Sequence, residues 1–413
     1  MIYFTELQNL PVFDVRGEYV GRLVDMLVDP SQNSLRVAAY HVRTPGKQTL
    51  CITYKQVQSV SVRAVQTTVS SDEIRCYEAD ESLISVKKDV LDQQVIDVNH
   101  RKVERVNDVD YDIRPVNGHT ELRIVAADVG MASAVRRLLQ GVVSKHRIRS
   151  LASLMPARVI PWEFINLIEP DAARRLKLRI SYDRLATLHP ADIADILEEL
   201  SRDEQKAVIE SLDDETAAQA ISEIPTRMQA ALLESIPAEK AADIVEEMPP
   251  DEAADVLQEM QPESSAEVLA GMERDEATEV RGLLGFEENT AGALMTTEYI
   301  GVDDSATLAE AVKALKSFEG SIESVNQIYL VSAERTLTGA VPLARVLLAQ
   351  ASTPLKELST DPVISVKSHG DAREVIDLFY KYNLVALPVV DDIGHLLGVV
   401  TADDVLELVV KRR

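Results

Sequence analysis

The sequence predicts a multidomain α+β chain: two small β-barrel-like units, an all-α superhelix of short helices, and an α/β tandem at the end. Three observations lead there. Residues 1 to about 180 twice repeat short alternating apolar and polar runs split by Gly, Asn or Asp. Residues 189 to 284 repeat every twelve positions with helical spacing. After Gly285, strand–helix–strand patterns occur twice, about sixty residues apart. The expected limits are 1–85 and 86–180 for the two barrels, 181–287 for the helices and 288–413 for the tandem.

In the first region VFDVRGEYVGRLVDM (12–26) lines up with VIDVNHRKVERVNDV (95–109), LRVAAYHV (35–42) with LRIVAADV (122–129), and ITYKQVQSV (52–60) with IPWEFINLI (160–168). Three matched blocks in one order mark a duplication. This pattern resembles the PRC-barrel family of small β-barrels. His100 and Glu104 stand where the first copy has Gly17 and Gly21, so the second turn is expected to differ in geometry. The second copy also holds an insertion, MASAVRRLLQGVVSKHRIRS at 131–150, whose spacing predicts an amphipathic helix with Arg136, Arg137, Lys145, Arg147 and Arg149 on or near one face. The plain expectation is a solvated face over the barrel. Docking on an anionic membrane or on the acidic helices is the alternative.

The twelve-residue units read HPADIADILEEL, SRDEQKAVIESL, DDETAAQAISEI and onward to ERDEATEVRGLL. In most units position five or six, eight, nine and twelve are apolar, which is one stripe of a short amphipathic helix. Ser201, Asp213, Pro225, Pro237, Pro249 and Pro250 collect at the first two positions, where N-cap residues and prolines start a helix. Helices this short are unstable alone and must stack on their neighbours. Residues 189–284 hold 26 Asp and Glu against 6 Lys and Arg, a net of −20 out of the chain's −25. Two readings stay open for that charge: a solvated helix face, or a surface built for cations.

In the last region, YIGV (299–302) and VISV (363–366) precede the helices TLAEAVKAL and DAREVIDLFYKY. The buried-strand runs IYLV (328–331) and LPVV (387–390) follow, and then LTGAV (337–341) and LLGVV (396–400) lead into further helices. This resembles a tandem CBS-domain pair, a regulatory module that commonly binds adenosine nucleotides or metal ions and commonly dimerises. The joint ENTAGALMTTEYIGV (288–302) and the segment LPVVDDIGHLLGVVTADDVLELV (387–409) are similar to the cytosolic half of MgtE-type magnesium transporters, where an acidic helical domain precedes a CBS pair. Transporters of that family continue from the last CBS helix into a membrane pore, whereas this sequence stops at Arg413. A chain ending there is expected not to conduct ions itself; a pore encoded beyond it is the alternative.

Composition narrows the function classes. An apolar fraction of 46% with 27% charged residues belongs to a water-soluble globular chain, and no apolar run approaches membrane-spanning length. The excess of acid argues against nucleic acid. Two cysteines, Cys51 and Cys76, fit a reducing compartment, so a cytoplasmic location is expected. No zinc-type cluster, Gly-rich phosphate loop or nucleophile elbow is present, and no enzyme is expected.

The resemblance implies a site. In the MgtE family cytosolic magnesium binds between the acidic domain and the CBS pair. Here that points to Asp403, Asp404 and Glu407 of the last helix facing acids of the array, for which Asp243, Glu246, Glu247 and Asp255 are the candidates. Carboxylates suit Mg²⁺, a hard cation. A helix N-cap with first-turn acids is the plain alternative for Asp403 and Asp404. The ribose-contacting pattern of the CBS family is kept as Gly398, Thr401 and Asp404, whereas the first unit has Gly339, Pro342 and Arg345. One adenosine-nucleotide site is therefore expected, in the second unit. The expected protein is a magnesium-responsive regulator, homodimeric through the CBS pair and reaching an unidentified protein partner through its barrels. A nucleotide-sensing adaptor and a transporter fragment are the alternatives.

Overall fold

In the computed structural model the described residues are 2–29, 36–76, 83–116, 119–139, 158–168, 184–318, 320, 325–359 and 362–411. Contacts divide the chain into two units, Met1–Thr216 and Ala217–Arg413.

The first unit opens with β1 (Ile2–Tyr3) and the one-turn helix α1 (Phe4–Leu7). β2 (Pro11–Phe13), β3 (Tyr19–Val28), β4 (Val37–Arg43), β5 (Thr49–Thr53), β6 (Val57–Val60), β7 (Val65–Thr67) and β8 (Arg75–Cys76) form a curled sheet in the order β6-β7-β2-β3-β4-β5-β8. The second copy supplies β9 (Ile84–Ser85), β10 (Gln94–Asp97), β11 (Lys102–Arg105), β12 (Asp108–Val116), β13 (His119–Asp128), the helix α2 (Met131–Leu138), β14 (Val159–Pro161) and β15 (Ile165–Leu167). Its sheets run β1-β12-β13-β14 and β11-β10-β15.

The two copies exchange their leading strands. β1 pairs with β12 through Ile2↔Tyr111 and Tyr3↔Asp110, and β9 pairs with β3 through Ile84↔Val28 and Ser85↔Leu27. Under the alignment of the duplication, Val28 matches Tyr111 and Leu27 matches Asp110, so the two exchanges are the same contact made twice. Arg36 and Arg123, also matched positions, bridge to each other. The copies thus sit about a pseudo-twofold axis and share one buried cluster, in which Val12, Met26 and Tyr40 join Val95, Tyr111 and Leu122. The third matched block folds alike in both copies, as a single 3-10 turn at Tyr54–Gln56 and Trp162–Phe164.

The glycine differences have a physical reason. A Cβ on Gly21 would lie 2.4 Å from the Arg43 carbonyl oxygen of β4. Glu104 occupies the matching place on β11, the edge strand of its sheet, where its carboxylate pairs with Lys102 at 3.1 Å and Arg158 at 2.6 Å. In the turn itself the left-handed backbone position moves from Gly17 (φ +79°) to Arg101 (φ +54°), one residue past His100.

Contrary to the solvated face expected of the basic insertion, Arg136 on α2 is buried and its Nη2 donates to Asp128 Oδ2 at 2.6 Å, while Arg137 pairs with Asp92. Lys145, Arg147 and Arg149 lie outside the described residues.

The helical repeat begins in this unit with α3 (Pro190–Glu199), α4 (Arg202–Ile209) and the start of α5 (Asp214–Ser222). α3 covers the exposed edge of β11. Glu199 accepts from the Val103 N–H at 3.1 Å, and Asp192 pairs with Arg101 at 2.9 Å.

The second unit continues with α6 (Thr226–Leu233), α7 (Ala238–Glu246), α8 (Pro250–Glu259), α9 (Pro262–Gly271) and α10 (Arg274–Leu283), in which every second helix packs together. Positions five, six, eight, nine and twelve are the buried ones, as in Ala241, Ala242, Ile244, Val245 and Met248. Polar side chains close the helix ends in register. Gln229 donates to the Ser222 and Ile224 carbonyls at 3.2 and 2.7 Å, and Gln205, two units earlier, does the same for Leu197 and Leu200 at 2.8 and 3.1 Å.

The α/β tandem follows. Its first half is β16 (Gly301–Asp303), α11 (Leu308–Lys316), β17 (Gln327–Val331), β18 (Leu337–Pro342), α12 (Leu343–Leu348) and the one-turn α13 (Leu355–Leu358). Its second half is β19 (Val366–Lys367), α14 (Ala372–Tyr382), β20 (Ala386–Val390), β21 (Leu396–Thr401) and α15 (Ala402–Lys411). Both halves pair parallel then antiparallel and carry a bulge at matching places, Leu330/Val331 and Val389/Val390. Thr336 bridges its matched residue His395, so these halves too meet about a pseudo-twofold axis.

Candidate divalent-cation and nucleotide site

The joint between the helical repeat and the tandem builds the site, and all of it lies in the second unit. The segment before Tyr299 lies along β21: Thr296 N donates to the Val399 carbonyl and Val399 N to the Thr296 carbonyl, each at 2.9 Å. Gly398 permits that approach, because a Cβ there would lie 2.5 Å from Thr296 O and 2.8 Å from Met295 Sδ.

β21 ends at Thr401, whose backbone N–H and hydroxyl both donate to Asp404 Oδ2, at 3.1 and 2.6 Å. Asp404 therefore closes the first turn of its own helix, as a first-turn acid should. Against this turn comes the start of α8, where Pro249 and Pro250 open the helix and Asp251 and Glu252 fill its first turn. Burial, then the neighbouring carboxylates of Asp404 and Glu252, push the Asp251 carboxyl well above the usual carboxylate range, while the Thr296 hydroxyl opposes the rise. Asp251 Oδ1 is buried with no hydrogen-bond partner among the described residues. Two carboxyl groups from separate elements are pressed together here.

The other expected ligands fall elsewhere. Asp403 is exposed on α15, as are Asp243 on α7, Glu247 after it, and Asp255 on α8. The backbone of Glu407 is helical, but its side chain lies outside the described residues. Glu246 accepts from the Glu273 N–H at the start of α10, and burial, aided by Glu276, Glu273 and Asp243, raises its carboxyl. Glu234 caps Gln261 at the start of α9 in the same way, at 2.6 Å. Some acids of the array thus serve helix ends. Sequence reasoning did not single out Asp251; its signal is an acid directly after a double proline.

Thr401 also lines a cleft with Glu298, Tyr299, Gln327, Tyr329 and Ala386. Tyr299 and Tyr329 meet edge to face at 6.1 Å between centroids, and Gln327 donates to the Tyr329 hydroxyl at 2.7 Å. Aromatic faces, an amide and a hydroxyl are the groups that a nucleobase and ribose use. In the first half, Arg345 turns away to donate to the Leu358 and Ser359 carbonyls at 2.9 and 3.1 Å.

Residues 188–289 match the family described as the MgtE intracellular N domain, residues 355–411 the CBS domain, and residues 1–73 the PRC-barrel domain. From residue 188 the chain is thus similar to an MgtE-type N domain followed by CBS-domain sequence, with a PRC-barrel match before them. The magnesium transporter MgtE of Thermus thermophilus is 36% identical over 129 residues, which are 31% of this chain and 29% of the relative's length. The crystal structure of the cytosolic domain of the Mg²⁺ channel MgtE in complex with ATP is 31% identical, covers 56% of this chain and 94% of that one, and superposes with a TM-score of 0.53. The soluble part of a magnesium transporter is 26% identical, with coverage of 58% and 93% and a TM-score of 0.53. Among the described residues no helix is long and apolar enough to cross a membrane.

The residues between the MgtE N domain and the CBS pair fit a divalent cation in chemistry. They offer hard oxygens, a buried orphan oxygen on Asp251 and a second carboxylate beside it. No three His, Cys, Asp or Glu side chains among the described residues are gathered to hold a metal by themselves. Mg²⁺ keeps several of its waters and needs only one or two carboxylates from a protein.

Proposed function

We propose that this chain is a non-enzymatic cytoplasmic regulator that reads Mg²⁺ between the first turn of α8 and the first turn of α15, and that its barrels carry the outcome to a protein partner. The observation that carries this reading is the pair of crowded carboxylates, Asp251 and Asp404, brought together by two elements that a bound cation would hold closed. Asp251 and Asp404 would hold the ion through one carboxylate each, with Glu252 adding negative charge beside them, and the ion would supply positive charge to the crowded pair. The domain limits 1–85, 86–180, 181–287 and 288–413 belong to the same reading. Its first test is calorimetry: Mg²⁺ binding in the wild type and its loss in Asp251→Asn support it, while binding that Asp251→Asn leaves unchanged counts against it.

A second ligand, an adenosine nucleotide, is favoured by the cleft around Thr401. Asp404 then serves both ligands: its carboxylate is positioned by Thr401 for the ribose and by α8 for the cation. Asp404→Asn is expected to weaken ATP or AMP binding at least tenfold, the low end of the roughly 1.5–3 kcal/mol of one hydrogen bond to a charged group. Titration calorimetry showing equal affinities would place the nucleotide elsewhere.

The protein is expected to be a homodimer through the CBS pair. The helices of the pair present large apolar side chains to solvent, with Leu348 on α12 90% exposed and Tyr380 on α14 91% exposed. Buried against a second copy, such residues supply the core of an interface. Light scattering should give twice 45.6 kDa at micromolar concentration, and Tyr380→Glu with Leu348→Glu should give a monomer of 45.6 kDa. A wild type that scatters as a monomer would end this reading.

A further inference from the structure

We propose that Asp110 is a proton-operated latch on the exchanged N-terminal strand: neutral, it lets β1 lie against β12; ionised, it loosens that strand. The two barrel copies make the same strand exchange, yet the places around it differ. The first copy has Asp25, Leu27 and His41 where the second has Asp108, Asp110 and Asp128. All three acids of the second copy are buried, Asp110 at 4% exposure, and the guanidinium that reaches them is Arg136 from the inserted helix α2.

The partners are unevenly shared. Asp128 takes Arg136 Nη2 at 2.6 Å, the Ser133 hydroxyl at 2.8 Å and the Gly130 N–H at 3.0 Å. Asp108 takes the Thr5 hydroxyl at 2.6 Å and the Thr5 N–H at 3.2 Å, with Arg136 Nε 3.8 Å away. Asp110 Oδ1 is left with no hydrogen-bond partner among the described residues. Three carboxylates with one guanidinium would bury two net negative charges, and the acid with the fewest partners is the one that keeps its proton. Burial, then Asp128 and Asp108, push the Asp110 carboxyl up to about 7, against Arg136 and the chain's amino terminus.

Asp110 stands opposite Tyr3, whose ring lies 3.8 Å from the Arg136 guanidinium carbon, and Thr5 follows on Asp108. The exchanged segment therefore meets this cluster at two residues, Tyr3 and Thr5. Because the folded form holds the proton more tightly than an exposed Asp, the stability that the proton confers is full below about pH 4. It is lost as pH rises through about 7.

The test is hydrogen exchange by mass spectrometry on the full chain, with rates divided by their intrinsic values at each pH. Protection of the peptide covering Ile2–Leu7 should fall about tenfold between pH 6 and pH 8, the change expected for one site titrating near 7. Protection of the Ile84–Ser85 strand, which faces Leu27, should not change. Asp110→Asn, a neutral isostere, and Asp110→Leu, the residue at the matched place, should both abolish the pH dependence. A wild-type N-terminal strand equally protected at both pH values, or a tenfold fall that persists in Asp110→Asn, would overturn the proposal.

Discussion

In millimolar MgCl₂ the protein should melt at a higher temperature and scatter with a smaller radius than in KCl of the same ionic strength. The reasoning starts from 26 acids against 6 bases over residues 189–284, and from one place where that surplus is pressed against another element. Without a cation, Asp251 and Asp404 repel and Asp251 is driven toward its neutral form. A divalent ion between them removes the repulsion and adds ligation available only while α8 and α15 stay together. Binding confined to that arrangement stabilises it by RT ln(1 + [L]/Kd), about 2.7 kcal/mol at a hundredfold excess over Kd. For a unit of this size the melting temperature should rise by roughly 5–10 °C. Potassium at matched ionic strength isolates simple screening, for which the Debye length is already about 10 Å at 0.1 M. Asp251→Asn supplies the opposite sign as a control. By replacing a buried, crowded carboxyl with a neutral amide it should raise the melting temperature in the absence of magnesium and erase most of the magnesium response. Asp255→Asn, on the exposed face of the same helix, should leave the response in place. Equal effects of the two salts would reduce the acidic face to a solvated surface.

That reasoning depends on a residue that the sequence pattern does not single out, and the cause is the repeat itself. Every unit of twelve presents acids on the faces that its apolar stripe leaves free, so periodicity identifies the buried positions, such as Ile244, Val245, Val256 and Leu257, and leaves the acids interchangeable. Which unit meets the CBS pair is settled by the joint, where Thr296 pairs with Val399 and brings β21 up to α8. The Thr401–Asp404 hydrogen bonds were legible because a first-turn acid follows a helix start there, and local hydrogen bonds form where local chemistry says they should. The strand exchange was not legible. β1 and β9 are two residues each, too short to show alternation, and their partners lie more than fifty residues away. Arg136 misled for a related reason: helical spacing places it on a basic face, while the acids that bury it, Asp108 and Asp128, come from strands earlier in the chain.

Gly398→Ala should destabilise the ligand-free protein by about 1–3 kcal/mol, the range for an overpacked contact. If Gly398 served only to admit a ribose, its replacement would alter nucleotide affinity and leave the melting of the ligand-free protein alone. The geometry says otherwise. The added methyl carbon would meet the Thr296 carbonyl oxygen at 2.5 Å, far inside contact distance, and that oxygen is held there by the Val399 N–H. Relief requires the joint to move off β21, which breaks both hydrogen bonds between Thr296 and Val399 and withdraws the Thr296 hydroxyl from Asp251. The same substitution should therefore weaken the magnesium response, although Gly398 offers no side chain to a cation. Gly339→Ala makes the comparison sharp. At the matched place in the first half, its methyl would meet the Ser359 hydroxyl oxygen at 2.6 Å, a side-chain atom whose rotation gives up its hydrogen bonds to the Ala340 N–H and carbonyl and leaves the backbone in place. A smaller loss of stability and an intact magnesium response are expected there. Thermal melts of both variants, with and without MgCl₂, decide the matter. A Gly398→Ala protein that melts like the wild type and keeps its magnesium shift would show that the joint is not held against β21 in the way the Thr296–Val399 pair implies.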